Sequence, residues 1–207
     1  MTKAILINYN FTPTWLLDSG LDYYLYDRSD SKEYLKDFPQ ERIRYTENRG
    51  NVDYDKLSYL VEFYDNLPDI FLWGKSNLFQ FISPEEWDKV KDNKVFTPLL
   101  TQNHKTYSDR NGRVCYYEGG MYWERNDSWY LNEVPAKFQT WVEWANFLQL
   151  PILPYIPFAP GGNYLLTKER VHRYSVDFYE KMKDTLPYTQ LPGEAHLAER
   201  SYYLLWK

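Results

Sequence analysis

Short apolar runs alternate with amphipathic stretches along this chain, and the alternation predicts an α/β fold. Residues 4–8 form a continuous apolar run that opens into polar residues, which is typical of a strand buried on both faces. Three further runs predict strands that also end in polar or turn-forming residues: 23–26, 43–45 and 69–73. Because such strand ends meet at one edge of a parallel sheet, we expect ligand-binding groups to gather there.

Helical spacing and capping motifs predict the remaining elements. The apolar residues of 53–67 repeat on one helical stripe, and this helix should stop before Pro68. Ser83-Pro84-Glu85-Glu86 is a capping box with proline at the first helical position. The other predicted elements are a helical turn at 14–19, loops or a small hairpin layer at 101–135, a helix at 138–148, an extended proline-rich passage at 151–160, a strand at 163–166, a helix at 168–185 and a last helix from 194. No linker divides them, so we expect one domain over residues 1–207.

The formal charge of −5 and the residue composition of the 207-residue chain exclude several classes of protein. A net negative charge disfavours a surface that coats nucleic acid. No run of about 18 apolar residues exists, so we expect no membrane span, and the N-terminus lacks the length of a signal peptide. Cys115 is the single cysteine, which excludes an internal disulfide and a cysteine zinc site. These features predict a soluble, cytoplasmic protein.

Aromatic residues are abundant, with 21 tyrosines, 8 tryptophans and 11 phenylalanines. Tyrosine and tryptophan combine an apolar face with a polar tip, so they pack in cores and also bind polar ligands. Carbohydrate is one such ligand, because its C–H faces stack on rings while its hydroxyls bond to polar neighbours. For an individual tyrosine, a place in the core is still the first expectation.

Glu194 is the acid that the sequence singles out for chemistry. It follows Pro192-Gly193 at the start of the last predicted helix, with Leu197 and Ala198 on the same side. Burial would raise its pKa and suit it to act as a general base, although the helix start opposes that shift. His196 lies on a neighbouring face and is a candidate for holding a phosphate or a metal. The alternative is that Glu194 is only a helix-start acid.

Two parts of the chain carry short motifs in a fixed order. Those of residues 43–82 are Asn48-Arg49-Gly50, Tyr59, Tyr64-Asp65-Asn66-Leu67-Pro68-Asp69 and Phe71-Leu72-Trp73-Gly74. Those of residues 155–206 are Phe158-Ala159-Pro160-Gly161-Gly162-Asn163, Lys168-Glu169-Arg170, Asp177-Phe178-Tyr179, Glu194-Ala195-His196 and Glu199-Arg200. Together they resemble an uncharacterised family of glycosyltransferase-like proteins. The resemblance implies the nucleotide-diphospho-sugar transferase (GT-A-like) fold, a single Rossmann-like domain with a mostly parallel central sheet flanked by helices.

This resemblance implies a glycosyltransferase that moves a sugar from a nucleotide-diphosphate donor to a hydroxyl acceptor, a glycan or another molecule. In that fold the strand-end loops hold the nucleoside diphosphate, and an acid at the start of a late helix, here Glu194, often acts as the base. The implied donor site comprises Asn8, Tyr9, Asn10, Asp27, Arg49, Gly50, Lys75 and His196. The implied sugar and acceptor site comprises Trp73, Gly161, Gly162 and Asn163.

The expected metal motif is missing at its usual place. Most such enzymes carry Asp-x-Asp after the fourth strand to hold Mn²⁺ or Mg²⁺, whereas this chain has Trp73-Gly74-Lys75-Ser76. The literal Asp53-Tyr54-Asp55 begins the predicted amphipathic helix, where acids are common for structural reasons. Whether the protein binds a divalent metal therefore stays open on the sequence alone. Lys75 is a candidate to supply positive charge in place of the metal.

Two other functions remain open on the sequence alone. A non-catalytic carbohydrate-binding protein would use tryptophan and tyrosine rings to stack on sugars. A phosphodiester hydrolase would use Asp53, Asp55 and His196 with a metal that activates water.

Overall fold

The computed structural model describes residues 3–101, 107–108, 114–118, 121–126 and 134–207, with the backbone alone at 107–108 and 114–118. Its strands are β1 Lys3–Asn8, β2 Asp22–Asp27, β3 Ile43–Tyr45, β4 Ile70–Lys75, β5 Thr97–Pro98, β6 Tyr107–Ser108, β7 Val114–Glu118, β8 Met121–Arg125, β9 Tyr155–Phe158 and β10 Tyr164–Thr167. Its α-helices are α1 Trp15–Asp18, α2 Asn51–Glu62, α3 Pro84–Val90, α4 Trp141–Leu148, α5 Lys168–Val171, α6 Val176–Lys183 and α7 Gly193–Trp206.

The larger sheet has six strands in the order β3-β2-β1-β4-β10-β5. Strand β1 runs parallel to β2 and β4, and β2 runs parallel to β3. The prediction of an α/β fold with a mostly parallel central sheet is confirmed at this level. Strand β10 is antiparallel to β4, with Tyr164 opposite Trp73, so β10 begins at the edge where β4 ends.

Two cores cover the two faces of this sheet, which explains why β1 is apolar at successive positions. Ile5 and Ile7 belong to a core that includes residues of α2, α4, α6 and α7. Ala4 and Leu6 belong to a second core that includes residues of α1 and α3. Alternate side chains of a strand point to opposite faces, so a strand between two layers needs apolar residues at both sets of positions.

The smaller sheet is antiparallel, in the order β6-β7-β8-β9. Strands β7 and β8 pair from Glu118 and Met121 outward, which agrees with the predicted hairpin layer in the described part of 101–135. The rest of that segment and the side chain of Cys115 lie outside the described residues. Strand β9 lies in the proline-rich passage and places Pro157 opposite Trp123 on an edge strand, where a residue without an N–H is tolerated. Helix α7 contacts both α2 and β9.

Side-chain caps fix several helix starts. The hydroxyl of Ser83 accepts a hydrogen bond from the backbone N–H of Glu86 at 3.2 Å, which confirms the predicted start of α3. Thr140 caps α4 in the same way, so this helix begins at residue 141, three residues later than predicted. Helix α2 begins at residue 51, and after its end at Glu62 a 3₁₀ turn continues over residues 64–66.

The single helix predicted over residues 168–185 is wrong, because the segment forms two helices. Helix α5 ends at Val171, and Ser175 caps the start of α6. Between them the carbonyl of Tyr174 accepts a hydrogen bond from the Tyr64 hydroxyl at 2.6 Å. The tertiary contact with Tyr64 and the local cap at Ser175 therefore outweigh the continuous apolar periodicity. Among the described residues the longest helix, α7, has 14 residues, and no helix is long and apolar enough to cross a membrane.

Candidate functional site

The carboxyl ends of β1, β2, β3 and β4 meet at one edge of the large sheet. Asn8 lies opposite Asp27, Asp27 lies opposite Tyr45, and Ile7 lies opposite Lys75. The chain leaves β1 toward β2 and β3 and then returns to place β4 on the other side of β1. Open α/β sheets bind ligands outside the strand ends at such a reversal, which is called the topological switch point.

A buried polar network joins β1, β2 and β4 at this edge. The side-chain N–H group of Asn8 donates to Asp27 Oδ1 at 3.0 Å and to Ser29 Oγ at 3.2 Å. The hydroxyl of Ser76 donates to Asn8 Oδ1. Asn10 extends the link, because its backbone N–H donates to Ser29 Oγ at 2.8 Å. The structure thus brings the predicted residues Asn8, Asn10 and Asp27 together.

A cleft of about 210 Å³ opens between the ends of β1 and β4, beside the start of α2. Its lining includes the predicted residues Tyr9 and Lys75 and also Asn51, Ser76 and Asn77. Tyr9 is 47% exposed, so its ring is available to a ligand. The lining residues of this cleft include one lysine, whose Nζ lies 5.2 Å from the centroid of the Phe81 ring, and no acidic residue, which favours an anionic ligand. We call this feature the switch-point cleft.

Arg28 holds the loop that leads into α2, a role that the sequence analysis missed. The side chain is 2% exposed, and its two terminal nitrogens donate to the carbonyl oxygens of Arg49 and Asn51. Asp55 lies 3.6 Å from it as a buried counter-ion. Burial lowers the pKa of Arg28 and raises the pKa of Asp55 to about 6. Arg28 therefore fixes the position of Asn51, which lines the switch-point cleft.

A turn formed by Gly161, Gly162 and Asn163 reaches the same edge, and three side-chain contacts hold it. Glu199 Oε1 accepts from the backbone N–H of Gly161 at 2.7 Å. Lys56 Nζ donates to the carbonyl of Gly162 at 2.6 Å. Asn163 Oδ1 accepts from the backbone N–H of Lys75 at 2.7 Å, which ties the turn to the end of β4. We call these three residues the glycine turn.

Glycine is required at two positions of this turn. Gly161 and Gly162 have φ angles of +86° and +61°, in the left-handed region that other residues avoid. A Cβ on Gly161 would lie 2.6 Å from the ring of Phe81, and a Cβ on Gly162 would lie 3.0 Å from Lys56 Nζ. Close packing on both sides therefore explains the glycine pair that the sequence analysis assigned to a sugar site.

Four charges form a cluster beneath the glycine turn: Asp53, Lys56, Lys75 and Glu199. Asp53 is 3% exposed and Lys56 is fully buried, and Asp53 Oδ1 accepts from the Tyr202 hydroxyl at 2.8 Å. Burial raises the pKa of Asp53 and lowers the pKa of Lys56 to about 8, while the opposite charge of the partner opposes each shift. The charges of Lys75 and Glu199 act on both groups. We call this set the charge cluster.

Glu199 is held by a further ion pair on its other side. Its Oε2 lies 3.3 Å from Arg200, and Arg200 also pairs with Glu124 of β8. None of the sites predicted from the sequence includes Glu199. Its neighbour Gly161 lies 38 residues away in the chain, so this role depends on tertiary structure alone.

Glu194 lies in different surroundings from those predicted. It is fully buried, and its carboxylate accepts from the backbone N–H groups of Lys137 and Phe138 and from the Tyr188 hydroxyl. None of these partners lines the switch-point cleft or belongs to the glycine turn. The geometry is that of an acid that anchors the segment before α4, so Glu199 replaces it as the acid of α7 beside the site.

Four other predicted residues neither line the switch-point cleft nor belong to the buried polar network or the glycine turn: Arg49, Gly50, Trp73 and His196. Trp73 is fully buried, donates to the carbonyl of Lys56 and packs edge-on against Tyr202, so its ring is not available for stacking on a sugar. The Arg49 guanidinium lies over Tyr54 in a separate groove. The φ of Gly50 is +70°, and its site is filled by Tyr54 and Leu186 rather than by ligand space. His196 is half-buried on α7.

Three buried polar atoms at this edge have no hydrogen-bond partner among the described residues: Asp27 Oδ2, Arg28 Nε and Asn163 Nδ2. Buried polar atoms are rarely left unpaired, because each loses its hydrogen bonds to water without replacement. All three adjoin the switch-point cleft or belong to the glycine turn; another buried atom left unpaired by the described residues, Trp141 Nε1, lies at the start of α4.

The acids considered for a metal do not converge. Asp53 faces Tyr202, whereas Asp55 faces Arg28 and Thr46 on another side of α2. Within the described ranges, no group of three or more His, Cys, Asp and Glu side chains is arranged to hold a metal ion. Comparison with protein-family models, curated proteins and solved structures finds no match to this chain.

Proposed function

We propose that this chain is a glycosyltransferase that uses a nucleotide-diphosphate sugar and binds the donor in the switch-point cleft. The observation that carries the proposal is the position of this cleft, at the reversal of a parallel sheet with Lys75 on its wall. Two features support it further. The buried Asp27 and Asn8 adjoin the cleft, and the glycine turn is joined directly to Lys75 through Asn163.

In the proposed complex, the exposed ring of Tyr9 stacks on the nucleobase, and the ammonium group of Lys75 faces the diphosphate. An ammonium group is a competent phosphate ligand, since it supplies a point charge and three donors. The diphosphate gains negative charge as the sugar leaves, so a fixed positive charge beside it stabilises the transition state more than the ground state.

The transfer step needs an acceptor oxygen and a base. The acceptor oxygen forms a bond to the anomeric carbon, the bond from that carbon to the diphosphate oxygen breaks, and the diphosphate leaves with the electron pair. Glu199 is the acid at the glycine turn and is our candidate to take the acceptor proton. Glu194 has no such position, because its carboxylate is occupied by the segment before α4.

A divalent cation does not fit the described residues of this site. The switch-point cleft has no carboxylate in its lining. Two buried acids lie near it: Asp27 already accepts hydrogen bonds from Asn8 and Ser29 through Oδ1, and Asp53 is bonded to Tyr202 and lies in the field of two lysines. Hard cations such as Mg²⁺ need several oxygen ligands and are repelled by ammonium groups. We therefore derive no step through a metal and assign the compensating charge to Lys75.

Calorimetric titration with UDP, GDP and their sugars, with and without Mn²⁺, tests this proposal. We expect binding of at least one nucleotide sugar without added metal, and a loss of about 10-fold or more in affinity for Lys75→Met. Lys36→Met is the matched control, because Lys36 is exposed and does not line the cleft. Absence of binding for every nucleotide and nucleotide sugar would overturn the donor assignment.

Carbohydrate binding without catalysis is the other function that the sequence left open. Most described tryptophans are buried in the cores, including residues 73, 87, 141, 144 and 206. Their burial explains much of the aromatic content by packing and gives little support to a stacking surface. Binding of glycans together with no affinity for any nucleotide would favour this function over transfer.

A further inference from the structure

A groove of about 280 Å³ lies on the face of the sheet opposite to α2, between α1 and α3. Its walls include three aromatic rings, Trp15, Phe79 and Trp87. Trp15 and Phe79 are half-buried, so both present ring surface to the groove. The proposed donor site uses none of these residues. We call this feature the aromatic groove.

The two half-buried rings form a corner with a fixed geometry. The centroids of Trp15 and Phe79 are 5.2 Å apart, and their planes are inclined by 73°. The indole N–H of Trp15 donates to the carbonyl of Ser76 at 2.8 Å, which holds the ring in place. Because that N–H is already bonded, the rings offer a ligand only their π surfaces, which attract positive charge.

The charged groups of the groove leave one carboxylate unmatched. Lys91 lies 2.8 Å from Asp88, so these two charges offset each other. Asp18 is exposed at the C-terminal end of α1 and forms no ion pair with any described residue. The groove therefore combines an aromatic corner with an unpaired negative charge, and the chain as a whole is also acidic.

We propose that the aromatic groove binds a methylated ammonium group, with the cation against Trp15 and Phe79 and its charge matched by Asp18. Aromatic corners of this kind bind quaternary ammonium ions because the ring faces are negative and the methyl groups lose little hydration. A carbohydrate fits less well, since the Trp15 indole N–H is already bonded and Asp18 is the one unpaired polar side chain that we find for its many hydroxyls among the described residues of the groove. The proposal is independent of the glycosyltransferase function.

Titration of the full chain with tetramethylammonium and with choline tests this inference. The NMR signal of the Trp15 indole N–H reports binding. We expect saturable shifts of that signal with both cations, and much smaller shifts with dimethylbutanol, the uncharged carbon analogue of choline. Equal shifts with the uncharged analogue would show simple apolar contact and would overturn the proposal. Saturable binding of neutral oligosaccharides without binding of the cations would overturn it as well.

Two variants separate the contributions of charge and ring. Asp18→Asn and Phe79→Leu should each weaken cation binding by about 2- to 5-fold, as expected for one surface charge or one exposed ring. Asp37→Asn is the matched control, because Asp37 is exposed and lies outside the groove, and its affinity should not change. Identical affinity in Asp18→Asn and the unchanged chain, at low ionic strength, would refute the role of Asp18. If Phe79→Leu does not fold, Trp15→Phe provides the second test of the ring contacts. Because this variant lacks the Trp15 indole signal, its cation binding is measured by calorimetry.

Discussion

Glu194 and Glu199 lie little more than one turn apart on α7, yet their surroundings differ in kind. The carboxylate of Glu194 accepts three hydrogen bonds and is closed off from solvent. Glu199 also uses both oxygens, on the Gly161 N–H and on Arg200, but its side chain stays 18% exposed and it lies next to an edge with several unpaired buried atoms. A buried acid whose hydrogen bonds are all made stabilises the fold, whereas unpaired groups beside a cleft indicate a place for a ligand.

The largest expected effect is on activity at Glu199. Glu199→Gln keeps an oxygen for the Gly161 N–H but cannot take a proton, so sugar transfer should fall by about 10²- to 10⁴-fold. Glu194→Gln is the matched comparison. The rate of sugar transfer by the folded Glu194→Gln protein should change little. Assays of transfer with whichever donor binds measure both rates. A loss confined to Glu194→Gln, with stability unchanged, would reverse the assignment.

The next effect is on stability at Glu194. Glu194→Ala leaves the buried N–H groups of Lys137 and Phe138 without an acceptor, so unfolding should become easier by about 2–4 kcal/mol. Urea denaturation measures this change, and Glu33→Ala at an exposed site is the control. A change within about 0.5 kcal/mol, the range of ordinary surface substitutions, would contradict the anchoring role.

A third effect is the pH dependence that Lys56 gives to the charge cluster. Burial lowers the pKa of Lys56 to about 8 from an ordinary value of 10.5. Between these values the unfolded chain keeps the proton and the folded chain loses it, so the contribution of Lys56 to the free energy of unfolding should rise with pH in this window. The rise should be on the order of 2 kcal/mol between pH 8 and 10.

Lys56→Met should remove that rise, whereas Lys36→Met should retain it. Urea denaturation at several pH values compares the two variants with the unchanged chain. The same slope in Lys56→Met and in the control would show that Lys56 has an ordinary pKa, and the electrostatic description of the charge cluster would then be wrong.

The smallest effect is on ligand affinity at Tyr9. Because Tyr9 is 47% exposed, Tyr9→Ala should leave the free energy of unfolding within about 0.5 kcal/mol. Loss of one stacked ring should weaken nucleotide binding by about 1 kcal/mol, or about 5-fold. Tyr45→Ala, at 38% exposure outside the cleft, is the control for calorimetric titration. Equal affinities in both variants would remove the stacking role.

Much of the sheet and its polar edge could be predicted from local patterns. The apolar run of β1 and the polar residues after it lie where a two-sided strand places them, and Asn8 does meet Asp27. The start of α3 followed directly from Ser83 and its capping box. These features depend on contacts within one element or on the common edge of parallel strands, so they can be predicted from local sequence patterns.

The roles of Arg28, Lys56 and Glu199 could not be predicted in the same way. Each depends on a partner far away in the chain, such as Gly162, which lies 106 residues from Lys56. A weak signal existed for Lys56, since it adjoins Leu57 on the apolar stripe of α2 with Asp53 one turn before it. No local pattern distinguishes Glu199 from a solvent-exposed acid. The sequence therefore favoured Glu194, at the start of the helix, as the candidate base.

A crystal structure of the chain with a bound nucleoside diphosphate tests the central claim most directly. Our account predicts that the diphosphate lies within hydrogen-bond distance of Lys75 Nζ, with the base against Tyr9 and Glu199 on the side of the sugar. A nucleotide bound beside Glu194 and the segment before α4, with the switch-point cleft filled only by water, would contradict it.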